Sequence, residues 1–85
     1  MIRVGVLISG EGTNLQAIID NAKGWEVVLV ISNRAEAGGL VRARRHKIPT
    51  LVIRTSDFSS REAFDQNLIQ ELDKAKVDLV VLAGF

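Results

Sequence analysis

The chain has 85 residues, of which 47% are hydrophobic and 25% are charged, and its formal net charge is +1 at pH 7. This length allows one small domain, and the near-neutral charge argues against nucleic acid or a membrane surface as a partner. Because there is no cysteine and no long apolar run, we expect no thiolate metal site, no signal peptide and no membrane span, and therefore a cytoplasmic protein.

Four apolar runs alternate with helix-like segments along the chain. The sequence predicts strands at 2–8, 26–32, 50–53 and 77–83, and helices at 14–22, 37–46 and 60–74. The continuous apolar runs are typical of strands that are buried on both faces of a parallel sheet. Ser59 and Glu62 predict a capping box at the start of the third helix. Gly38 and Gly39 make the second helix the weakest of the three.

Strands that alternate with helices indicate parallel strands joined by right-handed crossovers. We therefore predict an α/β fold: half of a doubly wound, Rossmann-like sheet, with four strands in the order 3-2-1-4 and three crossover helices. The fourth run is highly apolar although no predicted strand follows it. A sheet that ends in this way is typical of one part of a larger domain, so we expect residues 1–85 to be such a part.

The turn after the first strand reads Ser9-Gly10-Glu11-Gly12-Thr13-Asn14 and leads into the first helix. Bare N–H groups at a helix N-terminus favour a phosphate. In this interpretation Gly12 allows close backbone approach, the Thr13 hydroxyl donates to a phosphate oxygen, and Asn14 presents its N–H. The same residues also fit plain turn geometry and ordinary helix capping, and the pattern alone leaves both interpretations open.

Commoner nucleotide sites fit the turn less well. The dinucleotide fingerprint requires a third glycine where Leu15 stands, and an acidic residue where the second strand ends in Ser32-Asn33-Arg34. Arg34 would suit a 2′-phosphate, so an NADP-type half domain remains a less favoured alternative. No Walker sequence is present. The basic residues Arg42, Arg44, Arg45, His46 and Lys47 are interpreted as the solvated face and C-terminal end of a helix.

Four segments, 9–19, 31–37, 60–65 and 78–85, resemble phosphoribosylglycinamide formyltransferases in order along the chain. The resemblance implies formyl transfer from 10-formyltetrahydrofolate to glycinamide ribonucleotide in de novo purine biosynthesis. It implies that Gly12, Thr13 and Asn14 bind the substrate phosphate, and that Arg61 and Phe85 lie on the folate side. From the residues alone, Arg61 is also an ordinary exposed residue in the first turn of a helix.

The family's catalytic Asn, His and Asp have no counterpart among these 85 residues, and His46 matches no catalytic position. We therefore expect the N-terminal, phosphate-binding half of a formyltransferase, inactive alone, with weak affinity for phosphate or sulfate and no cofactor of its own. The alternative is a structural or assembly module that associates with itself or with a separate C-terminal half. The open fourth strand, 77–83, predicts a homodimer along that edge.

Overall fold

The computed structural model describes residues 1–85 as a four-stranded sheet with three α-helices. The strands are β1 (Ile2–Ile8), β2 (Trp25–Ser32), β3 (Thr50–Val52) and β4 (Leu79–Leu82), and the helices are α1 (Thr13–Asp20), α2 (Gly38–Arg45) and α3 (Arg61–Lys74). A 3₁₀ turn at Thr55–Asp57 precedes α3. All strands are parallel in the order β3-β2-β1-β4, which confirms the predicted fold class and strand order.

The helices cover both faces of the sheet. On one face, Leu15 of α1 and Leu40 of α2 pack against one set of β1 and β2 side chains. On the other, Phe64 of α3 packs against Leu7 of β1 and Ile31 of β2. Removing one such large side chain from water contributes about 1.5–3 kcal/mol. The central pair β1 and β2 is therefore buried on both faces along most of its length, as its apolar runs predict.

The two edge strands are less buried than the sequence predicts. In β4 the exposed fractions of Leu79, Val80 and Leu82 are 52%, 42% and 69%, and in β3 that of Val52 is 38%. The prediction of burial on both faces is wrong for these strands, because the helices pack over the central pair and leave the sheet edges open. β4 is also shorter than the predicted run 77–83.

The start of α3 differs from the prediction by one residue. Ser60 is the N-cap, and its Oγ accepts a hydrogen bond of 3.1 Å from the Ala63 N–H. The predicted capping box from Ser59 to Glu62 is therefore wrong, because Ser59 lies outside the helix. Glu62 remains in the first turn, where a negative charge interacts favourably with the helix dipole.

Candidate functional site

The carboxyl ends of β1 and β4 border a crevice where the order of the strands reverses. The chain leaves β1 for β2 on one side, and β4 returns to β1 on the other. Open α/β sheets bind their ligands at this kind of position. A depression of about 210 Å³ lies there, and it is lined by Ser9, Gly10, Glu11, Gly12, Thr13, Asn14, Ala83 and Gly84.

The three predicted phosphate-binding residues lie together at the start of α1. Gly12 is the N-cap with φ +80°, and Thr13 and Asn14 are the first two helical residues. The backbone amides of these three residues donate to no other part of the protein; the first bond of the helix runs from the Gln16 N–H to the Gly12 carbonyl at 2.8 Å. This end of the helix therefore presents three unpaired donors to the crevice.

The side chains of Thr13 and Asn14 are exposed, and neither caps the helix. The interpretation of these two residues as ordinary caps is therefore wrong for this chain. Both side chains are accessible to a ligand.

Residues that follow β4 form the opposite wall of the crevice. The Ser9 hydroxyl, at the end of β1, donates to the carbonyl oxygen of Gly84. The Ala83 N–H donates to the Leu7 carbonyl at 2.8 Å and so extends the pairing of β1 with β4. These bonds hold the glycine turn and the segment after β4 side by side.

Helix α2 packs directly on the back of the glycine turn. The Gly39 N–H donates to the Gly10 carbonyl at 2.9 Å, and Arg42 Nε donates to the Glu11 carbonyl at 2.7 Å. A Cβ added at Gly12 would lie 2.5 Å from Gly39 Cα. The space beside the Gly12 Cα is therefore filled by the backbone of α2.

Gly39 and Arg42 are the residues of this region that the sequence analysis missed. Gly39 was expected only to weaken α2, yet a Cβ there would lie 2.4 Å from Ile8 Cδ1 and 3.1 Å from Gly12 Cα. Arg42 was grouped with solvated basic residues; the other four are exposed, whereas Arg42 is half-buried. The adjacent glycines Gly38 and Gly39, in the first turn of α2, are the only local feature of the sequence that indicates a close contact there.

The predicted folate-side residues both lie beside the ring of Phe64. The Arg61 guanidinium carbon is 5.3 Å from the ring centroid, and Arg61 Nε also pairs with Asp65 at 3.1 Å. The Phe85 ring stacks on Phe64 with centroids 6.2 Å apart and planes inclined by 18°. Arg61 is exposed, so its alternative description as a surface residue in the first turn of α3 also holds.

The remaining candidates lie apart from the crevice. His46 is the exposed C-cap of α2, at the amino-end edge of the sheet, with its Nε2 3.2 Å from Gln16 Nε2. Arg34 is exposed and pairs with Glu36 at 2.9 Å, and its side-chain hydrogen bond holds the pKa of that carboxyl below its ordinary value. No cluster of three or more His, Asp or Glu side chains could hold a metal ion.

A larger cavity, of about 630 Å³, lies at the amino-end edge of the sheet, against Trp25, His46 and Pro49. We take the smaller crevice as the candidate site, because the carboxyl-end edge carries the free helix N–H groups and the strand-order reversal. None of the three helices is long and apolar enough to cross a bilayer.

A glycine turn with unpaired amides at the strand-order reversal is typical of α/β domains that bind phosphorylated ligands. Residues 2–85 match the family described as formyl transferase, and the chain belongs to that family. Within it, the chain is 50% identical over 88 residues to the phosphoribosylglycinamide formyltransferase of Escherichia coli K12, covering 99% of this chain and 42% of that protein. The resemblance drawn from the sequence motifs is thereby confirmed.

Two further relatives support the same family. The chain is 54% identical over 89 residues to the trifunctional purine biosynthetic protein adenosine-3 of Drosophila melanogaster, covering 98% of this chain and 7% of that protein. Its structure superposes on glycinamide ribonucleotide transformylase 1 from Symbiobacterium toebii with a TM-score of 0.97 at 50% identity, covering 100% of this chain and 42% of that one. The chain thus spans less than half the length of these relatives.

Proposed function

We propose that residues 1–85 form the part of a phosphoribosylglycinamide formyltransferase that binds the phosphate of glycinamide ribonucleotide. In the proposed reaction, the amine of that substrate accepts a formyl group from 10-formyltetrahydrofolate during purine biosynthesis. The observation that carries the proposal is the set of three unpaired amides, at Gly12, Thr13 and Asn14, facing a crevice at the strand-order reversal. Membership of the formyl transferase family and the purine-synthesis relatives support it.

The proposed phosphate contacts are weak by themselves. A helix N-terminus stabilises an exposed anion by about 0.3–1 kcal/mol. A dissociation constant of about 1 mM already requires roughly 4 kcal/mol. We therefore propose that this turn orients the phosphate, and that further contacts to the substrate supply most of the affinity.

The folate-side proposal concerns Arg61 and Phe85. A guanidinium matches the geometry of a carboxylate, and 10-formyltetrahydrofolate carries carboxylates. The ring of Phe85, stacked on Phe64, offers an aromatic face next to Gly84 of the crevice. Because Arg61 already pairs with Asp65, a bound carboxylate would compete with that pair.

We propose that residues 1–85 supply binding and not proton transfer. The only titratable side chain that lines the crevice is Glu11, and His46 lies at the other edge of the sheet. Amine attack on a formyl carbon needs a general base and donors to the developing oxyanion. The 85-residue polypeptide assayed alone should accordingly transfer no formyl group above the uncatalysed background.

Asn14→Asp tests the phosphate site because it should raise the stability of the fold and lower the affinity for glycinamide ribonucleotide. A carboxylate in the first turn of α1 stabilises the helix by about 0.3–1 kcal/mol. The same carboxylate repels a phosphate, so affinity for glycinamide ribonucleotide, measured by isothermal titration, should fall about tenfold or more. Asn21→Asp, at the other end of α1, is the matched control and should leave the affinity unchanged. Equal affinities for the two variants would contradict the proposal.

A second proposal concerns assembly. The edge of β4 carries the apolar side chains Leu79, Val80 and Leu82, all more than two-fifths exposed, beside unpaired backbone groups. An apolar edge of this kind favours pairing with another strand. We propose that two copies of the 85-residue polypeptide join antiparallel along β4. Complementation by a separate C-terminal half is the competing form of this proposal.

The NADP alternative has less support. Arg34, its one favourable residue, is engaged by Glu36, and the third glycine of the fingerprint is replaced by Leu15, which is fully buried in the core. Separate titrations with NADP and with glycinamide ribonucleotide distinguish the NADP alternative from the proposed phosphate site.

A further inference from the structure

We infer that Arg42 of α2 is a positioning residue for the phosphate site. This inference rests on the function proposed above. Arg42 is not among the residues that line the crevice. Its Nε donates to the Glu11 carbonyl at 2.7 Å, from a position 31 residues further along the chain. Through that bond Arg42 sets the direction of the Gly12 N–H.

The planarity of the peptide bond connects the two groups. The carbonyl oxygen of Glu11 and the N–H of Gly12 belong to one trans peptide and point in opposite directions. Because Arg42 holds the oxygen toward α2, the Gly12 N–H is directed away from α2 and toward the crevice. The bond from Gly39 to the Gly10 carbonyl acts in the same way on the preceding peptide.

The turn needs such a restraint because its own residues provide little. Gly10 and Gly12 have no side chains to restrict the backbone, and Glu11 is exposed. A hydrogen bond from a charged donor is about twice as strong as a neutral one. The Arg42 stem also packs on the turn, since its Cδ lies 3.3 Å from the position of a Cβ at Gly12.

Arg44 provides a control on the same helix. It carries the same charge two residues away, is exposed, and makes no side-chain hydrogen bond or ion pair in this structure. A long-range effect of positive charge on anion binding would be similar for both arginines. An effect on anion binding that acts through the Glu11 carbonyl would be lost only when Arg42 is replaced.

The test uses the protein as expressed from its own gene, with Arg42→Met, Arg42→Lys and Arg44→Met. Backbone N–H order parameters of residues 10–14 are measured by NMR relaxation without ligand, and affinity for glycinamide ribonucleotide is measured by titration. Arg42→Met should lower the order parameters of the turn and weaken binding about tenfold. Arg42→Lys, which keeps a single donor, should fall between Arg42→Met and the unmodified protein, and it carries the test if Arg42→Met does not fold. Arg44→Met should match the unmodified protein in both measurements.

Equal losses of affinity in Arg42→Met and Arg44→Met would assign the effect to charge and overturn the inference. Unchanged order parameters in the turn would overturn it as well, even if Arg42→Met lowers the melting temperature, because a purely structural contact would loosen α2 and not the turn. If the unmodified protein binds no glycinamide ribonucleotide, the proposed function fails, and the order parameters of the turn alone then decide the role of Arg42.

Discussion

Gly12 is subject to two separate constraints that a longer side chain cannot meet. Its φ of +80° lies in the left-handed region, and a Cβ there would lie 2.5 Å from Gly39 Cα. Gly10, two residues earlier, is in open space, with nothing within 4 Å of an added Cβ. The two glycines of the same turn therefore differ in their tolerance to substitution.

Gly12→Val should destabilise the fold by about 3 kcal/mol or more, because backbone strain and overpacking each cost about 1–3 kcal/mol. Gly10→Ala should change the free energy of unfolding by less than about 0.5 kcal/mol. Urea unfolding of both variants measures the difference. A Gly12→Val protein as stable as the unmodified one would show that α2 can move away from the turn. Loss of phosphate binding in Gly12→Val would follow from the distorted turn. Asn14→Asp is therefore the more direct test of the phosphate site.

At the scale of elements, α3 shows how two adjacent serines divide their roles. Only Ser60 has its side chain in the capping position, where it accepts from the Ala63 N–H at 3.1 Å. Ser59 precedes it as an exposed residue with no hydrogen bond to the helix. The helix carries Phe64, which covers one face of the central strands, so fraying of its first turn would affect the core.

Ser60→Ala should therefore lower the free energy of unfolding by about 1 kcal/mol, the usual effect of losing an N-cap. Ser59→Ala is the matched control, with an expected change within about 0.5 kcal/mol. Denaturant midpoints and slopes of the two variants provide the comparison. A larger effect for Ser59→Ala would restore the capping box that the sequence predicts.

At the scale of the whole molecule, the two edges of the sheet are unequal. β3 has three residues and follows Pro49, whereas β4 has four residues and three strongly exposed apolar side chains. A longer apolar edge favours strand addition, since it offers more backbone groups and more apolar area. This asymmetry places the proposed association at β4.

Sedimentation of the 85-residue polypeptide at micromolar concentration should show a dimer. Val80→Lys and Leu82→Lys should each shift it toward monomer, because association would desolvate the added charge. Val52→Lys on β3 is the control for the other edge and should leave the dimer intact. An unmodified chain that is monomeric, or a dimer that persists with both β4 lysines, contradicts this assembly. Loss of the dimer only in Val52→Lys would indicate that the interface lies at β3.

The class of fold, the strand order and the family could all be predicted from the amino-acid sequence. Alternating apolar runs and helical segments limit the topology, since right-handed crossovers leave few arrangements. The candidate phosphate residues Gly12, Thr13 and Asn14 are consecutive, so a local pattern was sufficient to find them. Their role remains a prediction.

The contacts that support that turn, and the difference in burial between central and edge strands, depend on the three-dimensional fold. Arg42 and Gly39 reach the turn across about 30 residues of chain, and no local pattern connects them to Glu11 and Gly12. The exposure of β4 depends on its position at the sheet edge, although its composition resembles that of the buried strands. Periodicity and capping patterns report contacts between neighbours in sequence, whereas a hydrogen bond or an open edge depends on which distant segments the fold brings together.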